Sequence, residues 1–501
     1  MAPPNKDEDA YPIAYQPLNK DKREIRLLEI LPSTSEGEVN CKLHTVPLTP
    51  DLYYTCISYV WGDPNDKEVM IVNGVPTKVA WSLINALRHL KKHWTDIERK
   101  SDPELDPSKF RLWADALCIN QEDLTEKRDQ VGMMADIYSS AAMVLAWIHP
   151  SGKVVKKAFK TFEKIVQIAE ENVDSDSWDN ALPSKFTGLT EIELFRICES
   201  LPPWKPSQLS WLCPNGSGID LLDFVKLLCD PYGAVFNFCR LDFWNRVWIY
   251  QEVILAKRLY FVSRTRCIEH STCLVALYGL MAYMQHLKRT NLVSWKEDNI
   301  DMLQSVFSKI WNLLKMRFVF RGIIDGDQDP DFCLWHLGLY FYPDSEASNK
   351  LDYFYGLSGV TTSPFAPDYT KSIREVTLEF MATRKDSRQI LSFLNIHATG
   401  LKRVDRLPSW APVFSKADRR RPIVRVLKKS CPAYVTVPEL SNGLPMDIDD
   451  DSLWIKGIKA QTVNSVYDEL VSGDLLTTGL QKCIMELTKS PQDIYPTGKR
   501  H

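Results

Sequence analysis

Strand-like and helix-like segments alternate along the first half of the chain. Residues 53–61 (YYTCISYVW) are almost continuously β-forming and precede Gly62-Asp63-Pro64, which is typical of a strand buried on both faces and followed by a loop. Apolar residues then recur at helical spacing between 80 and 94. Further strands are predicted at 111–116, 142–148 and 258–263, with a helix at 123–140. This alternation predicts an α/β fold with a mostly parallel sheet and flanking helices.

Two β-hairpins are predicted near the start of the chain. Residues 24–47 alternate between polar and apolar positions on either side of Ser-Glu-Gly, which favours a hairpin that we expect at the edge of the sheet. Farther along, Asn73-Gly74 indicates a tight turn between two strands, because both residues tolerate a positive φ.

The remaining sequence predicts an insertion and a second region. Residues 151–240 are rich in proline, tryptophan and polar residues and interrupt the alternation. After them, Asp242 is placed to cap a helix with the sequence FWNRVWIYQEVILA. We predict a flexible N-terminus at 1–23, a domain at 24–268 with the insertion at about 151–240, and a mainly helical region at 269–501 that ends in short strands.

Composition and charge exclude several classes of protein. Hydrophobic residues make up 45% and charged residues 25% of the 501 positions, which is the balance of a globular protein. The 61 Lys+Arg and 64 Asp+Glu residues give a net charge of −3, so no overall positive field favours nucleic acid or an anionic membrane. The longest apolar stretch, 271–285, is too short for a membrane span, and the start does not resemble a signal peptide. Because the 12 cysteines include no CxxC pair, we predict a soluble cytoplasmic protein with reduced thiols.

The motifs of common enzyme sites are missing from the sequence. There is no P-loop, GxGxxG, HExxH, GxSxG or kinase signature, so the sequence predicts no required cofactor. His89 and His93 are one helical turn apart, but the lysines between them favour a solvated helix face over a metal site. The basic residues between Lys416 and Lys429 favour a solvent-facing loop over a nuclear targeting signal.

Several ordered blocks of the sequence resemble the fungal heterokaryon incompatibility (HET) domain family. The blocks are YTCISYVWGD (54–63), LWADALCINQ through AAMVLAWI (112–148), FWNRVWIYQEVILAK (243–257), LDYFYGLSGV (351–360), APDYTKSIREV (366–376) and LPSWAP (407–412). The resemblance identifies 24–268 as the HET domain. It implies a protein of fungal self/non-self recognition that signals growth arrest or cell death through assembly with itself or with a partner protein.

HET domains are in turn similar to TIR domains, which have a flavodoxin-like sheet. On this resemblance Trp248 and Glu252 match the Trp-x-x-x-Glu pattern of the third TIR helix, although a long insertion precedes them here. That glutamate is the catalytic residue of NAD-cleaving TIR domains. The resemblance therefore implies Glu252 as a catalytic carboxylate and NAD as a candidate substrate. It also implies a nucleotide site at the carboxyl ends of the strands, formed by Tyr59, Trp61, Asp63 and Asp115.

The residues themselves leave other roles open. Glu252 lies beside an apolar helical stripe, where an unpaired carboxylate is costly, so a salt bridge with Arg246 or Arg240 is the alternative to catalysis. A catalytic Glu252 is expected to face a cleft without such a bridge. Tyr59 and Trp61 are alternatively core residues that close the loop, and Asp63 is alternatively a turn residue.

Three functions follow from this sequence. A HET-type signalling module is the leading hypothesis. The alternative is hydrolysis of NAD, in which one carboxylate can stabilise the oxocarbenium-like state because the cationic nicotinamide leaves as a neutral molecule. The third is a diverged accessory protein without death activity.

Overall fold

The computed structural model describes residues 11–32, 37–149, 152–171, 231–290, 297–320, 345–360, 366–382, 446–449 and 452–455. The chain divides into two compact units. The first comprises Met1–Val376 with Phe414–Lys416, and the second comprises Thr377–Val413 with Ala417–His501. The basic segment 416–429 lies outside the described residues.

The regular elements of the described ranges have the following bounds. The strands are β1 Glu24–Leu31, β2 Asn40–Pro47, β3 Thr55–Tyr59, β4 Lys67–Val72, β5 Val75–Ala80, β6 Leu112–Trp113, β7 Met143–His149, β8 Leu259–Ser263, β9 Cys267–Glu269, β10 Met446–Asp449 and β11 Ser452–Ile455. The α-helices are α1 Trp81–Glu98, α2 Asp115–Cys118, α3 Leu124–Gly132, α4 Met134–Ser140, α5 Gly152–Glu171, α6 Pro231–Cys239, α7 Ile249–Ile254, α8 His270–Thr290, α9 Glu297–Phe320, α10 Asp352–Ser358 and α11 Ile373–Ala382. Short 3₁₀ turns lie at Pro107–Lys109 and Asp242–Asn245.

A mixed sheet forms the centre of the first unit, in the order β5-β4-β2-β1-β6-β3-β7-β8-β9. Its central strands β6, β3, β7 and β8 are parallel, and Cys56 of β3 lies beside Trp113 on one side and Val144 on the other. Every residue of β3 is buried, as expected for a strand covered on both faces. The predicted α/β fold and its four neighbouring parallel strands are confirmed.

The two predicted hairpins are also confirmed, but the first is not at the edge of the sheet. β1 pairs with β2 along its whole length and also with β6, while β2 pairs with β4. Asn73 and Gly74, with φ values of 52° and 82°, form the turn that joins β4 to the edge strand β5. Because such short connections impose antiparallel pairing, the complete sheet is mixed.

Helices cover both faces of the parallel strands. The register pairs Tyr59 with Trp147, and successive residues of a strand point to opposite faces. Trp147 stacks on His89 of α1 with ring centroids 5.6 Å apart, whereas Ser58 reaches Glu252 of α7. Helix α1 contributes its apolar stripe to the core through Leu83, Ile84, Leu87, Leu90 and Trp94. All six residues of α7 are buried on the other face.

Three predicted elements differ in detail. The strand expected at 111–116 ends at Trp113, because Asp115 begins α2 and accepts a hydrogen bond from the Ala116 N–H. The helix expected at 123–140 is broken at Met133 into α3 and α4. The helix expected from Phe243 onward is limited to α7, because the preceding residues Arg246 and Val247 pair with the backbone of Glu346.

The described parts of the insertion and of the later region are largely helical. Helices α5 and α6 occupy the two ends of 151–240, and α8 to α11 follow the sheet. Strands β10 and β11 form an antiparallel pair in the second unit. Within the described ranges, no helix has both the length and the apolar character that crossing a membrane requires.

Candidate functional site

The carboxyl end of β3 carries the residues of the candidate site. β3 ends with Ser58 and Tyr59, and Trp61 follows in a loop whose next residue, Gly62, has a φ of +78°. The Ser82 hydroxyl at the start of α1 donates a hydrogen bond to the Trp61 carbonyl, with the oxygens 2.7 Å apart. The backbone of this loop is therefore fixed, while 46% of the Trp61 surface remains exposed.

Trp61 and Asp115 are in direct contact. The indole Nε1 donates a hydrogen bond to Asp115 Oδ2 over 2.8 Å, and the other carboxylate oxygen accepts one from the Ala116 N–H. Burial raises the pKa of Asp115 above its ordinary value, Arg246 opposes this effect and Glu252 adds to it. Asp115 is thus a partly desolvated carboxylate beneath an exposed aromatic ring.

Glu252 is the fully buried carboxylate of the site and is 1% exposed. Arg246 binds it with both guanidinium ends, Nη1 at 2.7 Å from Oε2 and Nη2 at 2.8 Å from Oε1. The Ser58 hydroxyl also donates a hydrogen bond to Oε2. The expectation that Glu252 lies free of a salt bridge is therefore wrong, because a carboxylate at this depth requires a cation and Arg246 supplies it. The other suggested partner, Arg240, lies over the ring of Phe236 instead.

We call Ser58, Tyr59, Trp61, Asp115, Arg246 and Glu252 the carboxyl-edge group. Its two carboxylates and one guanidinium leave one net negative charge when all are ionised. Burial acts to lower the pKa of Arg246, but Glu252 and Asp115 outweigh it and raise that pKa, so the guanidinium stays charged. The Tyr59 hydroxyl is buried beside Asp115, and burial, followed by the interaction with Asp115, raises its pKa.

Asp63, also expected at the site, caps its own turn. Its carboxylate is exposed and accepts a hydrogen bond from the Asn65 N–H over 2.8 Å. The two histidines of α1 are likewise engaged locally: His89 Nδ1 lies 2.8 Å from the Asn85 carbonyl, and His93 Nε2 lies 2.7 Å from the Ser263 carbonyl. In the part of the chain that the structure describes, no group of three or more His, Cys, Asp and Glu residues is arranged to hold a metal ion.

A later segment of the chain supports the Arg246–Glu252 pair. The Val247 N–H donates to the Glu346 carbonyl over 3.3 Å, and the Glu346 N–H donates to the Asn245 carbonyl. The Gln251 side chain donates to the Tyr355 carbonyl over 2.7 Å. Sequence reasoning did not find these supports, because a backbone bridge to a residue about a hundred positions away leaves no local pattern.

Comparison with known proteins identifies the domain that carries this group. The sequence model of the family described as Heterokaryon incompatibility protein (HET) matches residues 54–252. Residues 54–252 of the chain are a HET domain. The matched region of this HET-domain protein contains the whole carboxyl-edge group, from Ser58 on β3 to Glu252 on α7.

The HET-domain protein also has a relative among curated proteins. It is 25% identical over 438 residues to Heterokaryon incompatibility protein 6, OR allele, of Neurospora crassa. The match covers 79% of this chain and 58% of that relative, so the chain spans less than two thirds of the relative's length. No solved structure shows a significant match.

Proposed function

We propose that this HET-domain protein acts in fungal self/non-self recognition and signals growth arrest or cell death through assembly with itself or with a partner protein. The observation that carries the proposal is the HET match over 54–252. The likeness to a protein named for heterokaryon incompatibility, which extends over 79% of the chain, supports it. We further propose that the signal depends on the carboxyl-edge group, since this group occupies the end of a doubly covered parallel sheet where ligands bind.

Induced expression in a filamentous fungus tests this function. The full chain is compared with an equally abundant Gly62→Glu variant. Gly62 has a φ of +78°, which L side chains rarely adopt, so the variant distorts the loop that carries Trp61. We expect growth arrest with the unmodified chain and normal growth with the variant. Normal growth with both chains would contradict the proposal and favour an accessory protein without death activity.

A second candidate function is hydrolysis of NAD by the same group. The observation that favours it is the position of Glu252, Asp115 and Trp61 at one edge of the sheet, with Glu252 one helical turn after Trp248. In this reaction the electrons of the bond between nicotinamide and ribose pass to the pyridinium nitrogen. Water then attacks the electron-poor ribose carbon and releases a proton to solvent. The Glu252 carboxylate stabilises the developing positive charge, provided that its salt bridge with Arg246 weakens.

Incubation of purified full-length protein with NAD tests the second function. Glu252→Gln keeps the side-chain shape and removes the charge, so turnover is expected to fall about 10²–10³-fold, as for loss of a main electrostatic stabiliser. Glu104→Gln, at an exposed position, serves as the control and should retain full turnover. If the concentrated protein leaves NAD intact, the isolated chain is not an NAD hydrolase.

A further inference from the structure

We propose that Trp61 and Asp115 form a binding site for a guanidinium group, presented as an arginine side chain by a partner protein. The assignment to a protein partner rests on the proposed assembly function, whereas the ligand chemistry follows from the site itself. Three observations point to this ligand: the charge of the carboxyl-edge group, its unused hydrogen-bonding capacity and the exposed face of Trp61.

The charge of the group favours a cationic ligand. Arg246 and Ser58 together engage both oxygens of Glu252, so the buried carboxylate is fully compensated. The charge of Arg246 lowers the pKa of Asp115. The hydrogen bonds that the Asp115 carboxylate accepts from N–H groups, however, come from two neutral donors, those of Trp61 and Ala116. The surplus negative charge therefore resides on Asp115, which is the carboxylate nearer to solvent. A cationic ligand neutralises it without disturbing the Arg246–Glu252 pair.

Unused acceptors at the site call for a ligand with several N–H donors. Each Asp115 oxygen accepts one hydrogen bond and retains a lone pair. The hydroxyl of Tyr59, which is 1% exposed, lies beside this carboxylate. Guanidinium brings five N–H donors and no acceptor, which complements the two oxygens of Asp115.

The exposed ring of Trp61 selects a flat cation. Its indole is anchored at the edge by Nε1 and at the backbone by Ser82, while 46% of the residue stays in contact with solvent. A planar guanidinium can stack on this face while its N–H groups reach the adjacent carboxylate. The ammonium group of lysine carries the same charge but is not planar, so arginine is favoured over lysine.

Calorimetric titration of the full-length protein with small probes tests the site. The probes are Nα-acetyl-arginine-N-methylamide, its neutral isostere Nα-acetyl-citrulline-N-methylamide, and methylguanidine. We expect the arginine probe to bind at least tenfold more tightly than the citrulline probe. Equal affinities of these two probes, or no binding of the arginine probe, would overturn the proposal. A methylguanidine affinity equal to or above that of the arginine probe would overturn the assignment to a protein side chain and favour a free small cation.

Variants locate the binding. Asp115→Asn and Trp61→Ala should each weaken the arginine probe at least tenfold, whereas Asp51→Asn, an exposed acid before the amino end of β3, should leave it unchanged. Trp61 is half exposed, so its variant stays informative even if Asp115→Asn fails to fold. Unchanged affinity in a folded Trp61→Ala or Asp115→Asn protein would place the binding elsewhere and reject the site. Because these titrations involve no cells and no NAD, their failure is distinguishable from failure of the signalling function.

Discussion

Arg246 and Glu252 form a two-pronged salt bridge beneath the carboxyl end of β3, with N–O distances of 2.7 and 2.8 Å. Arg246 precedes α7 in an extended segment, and Glu252 lies in the first turn of that helix. The pair therefore links the segment before α7 to the first turn of that helix. The hydrogen bond from Ser58 to Glu252 links the same turn to the sheet. This geometry makes the pair structural in the state described, whatever chemistry the site performs.

Removal of Arg246 should destabilise the domain strongly. Arg246→Ala leaves Glu252 as an uncompensated buried charge, which costs about 3–5 kcal/mol in the free energy of unfolding. Urea denaturation followed by circular dichroism measures this loss. Adding Glu252→Gln to Arg246→Ala should recover part of it, because the stranded charge is then gone.

An exposed pair provides the control for this experiment. Arg23 and Asp136 also form an ion pair, but their side chains are 52% and 56% exposed. Arg23→Ala should therefore cost less than about 1 kcal/mol. Similar losses for Arg246→Ala and Arg23→Ala would show that the Glu252 bridge is not held in a desolvated site.

Gly359 should tolerate no side chain. A Cβ at this position would lie 2.6 Å from Ala135 Cβ and 2.8 Å from Gln251 Oε1, so α4 would have to shift and the Gln251 side chain would have to move. Gly359→Ala is expected to cost about 1–3 kcal/mol by overpacking. Gly152→Ala, where nothing lies within 4 Å, is the matched control and should be neutral or slightly stabilising in denaturation. Equal stability of the two variants would contradict the close packing around Gly359.

Asp115 should oppose folding at neutral pH. Its pKa is raised in the folded state, so the folded protein loses stability as pH rises from the ordinary aspartate value through the raised pKa, and the penalty persists above it. Asp115→Asn removes this penalty but also removes the acceptor of one N–H hydrogen bond, so its melting temperature at pH 7 should stay close to that of the unmodified protein. Arg246 lowers the pKa of Asp115 and Glu252 raises it, and the Asp115→Asn substitution leaves both of these groups in place.

Asp368 provides a control of opposite sign. Hydrogen bonds from the Thr370 hydroxyl and N–H lower its pKa, so its carboxylate favours folding above the ordinary aspartate pKa and loses that contribution as pH falls. Asp368→Asn should therefore lower the melting temperature at pH 7. A lower melting temperature for Asp115→Asn than for Asp368→Asn would show that the Asp115 carboxylate is needed for folding.

The sequence was informative where local pattern and burial coincide. β3 is predicted as a buried strand because it lies in a continuous run of β-forming residues, and the Asn73-Gly74 turn follows from two residues that accept positive φ. The salt-bridge alternative for Glu252 was also derivable, since an acid on an apolar helix face needs a cation. The residues Tyr59, Trp61, Asp115 and Glu252 do meet at one edge of the sheet, whereas their catalytic and nucleotide-binding roles remain predictions.

The features that sequence reasoning missed depend on distant contacts. The extended conformation of Arg246 depends on backbone pairing with Glu346, and helix periodicity alone extended the helix through this position. The central place of the first hairpin depends on pairing with β4 and β6, which alternation within a strand does not encode. Ser58 was missed as well, although a serine between Ile57 and Tyr59 near the carboxyl end of a buried strand was a usable signal.

The central claim is that growth arrest depends on the carboxyl-edge group of the HET domain. Asp115→Asn tests it directly, since the change removes one charge, keeps the side-chain shape and is expected to leave the fold intact. The measurement is the growth rate of a filamentous fungus after induction of the full chain, of Asp115→Asn or of Asp51→Asn, at equal protein abundance. We predict arrest with the full chain and with Asp51→Asn, and growth with Asp115→Asn. Arrest of equal strength with all three chains would contradict the account.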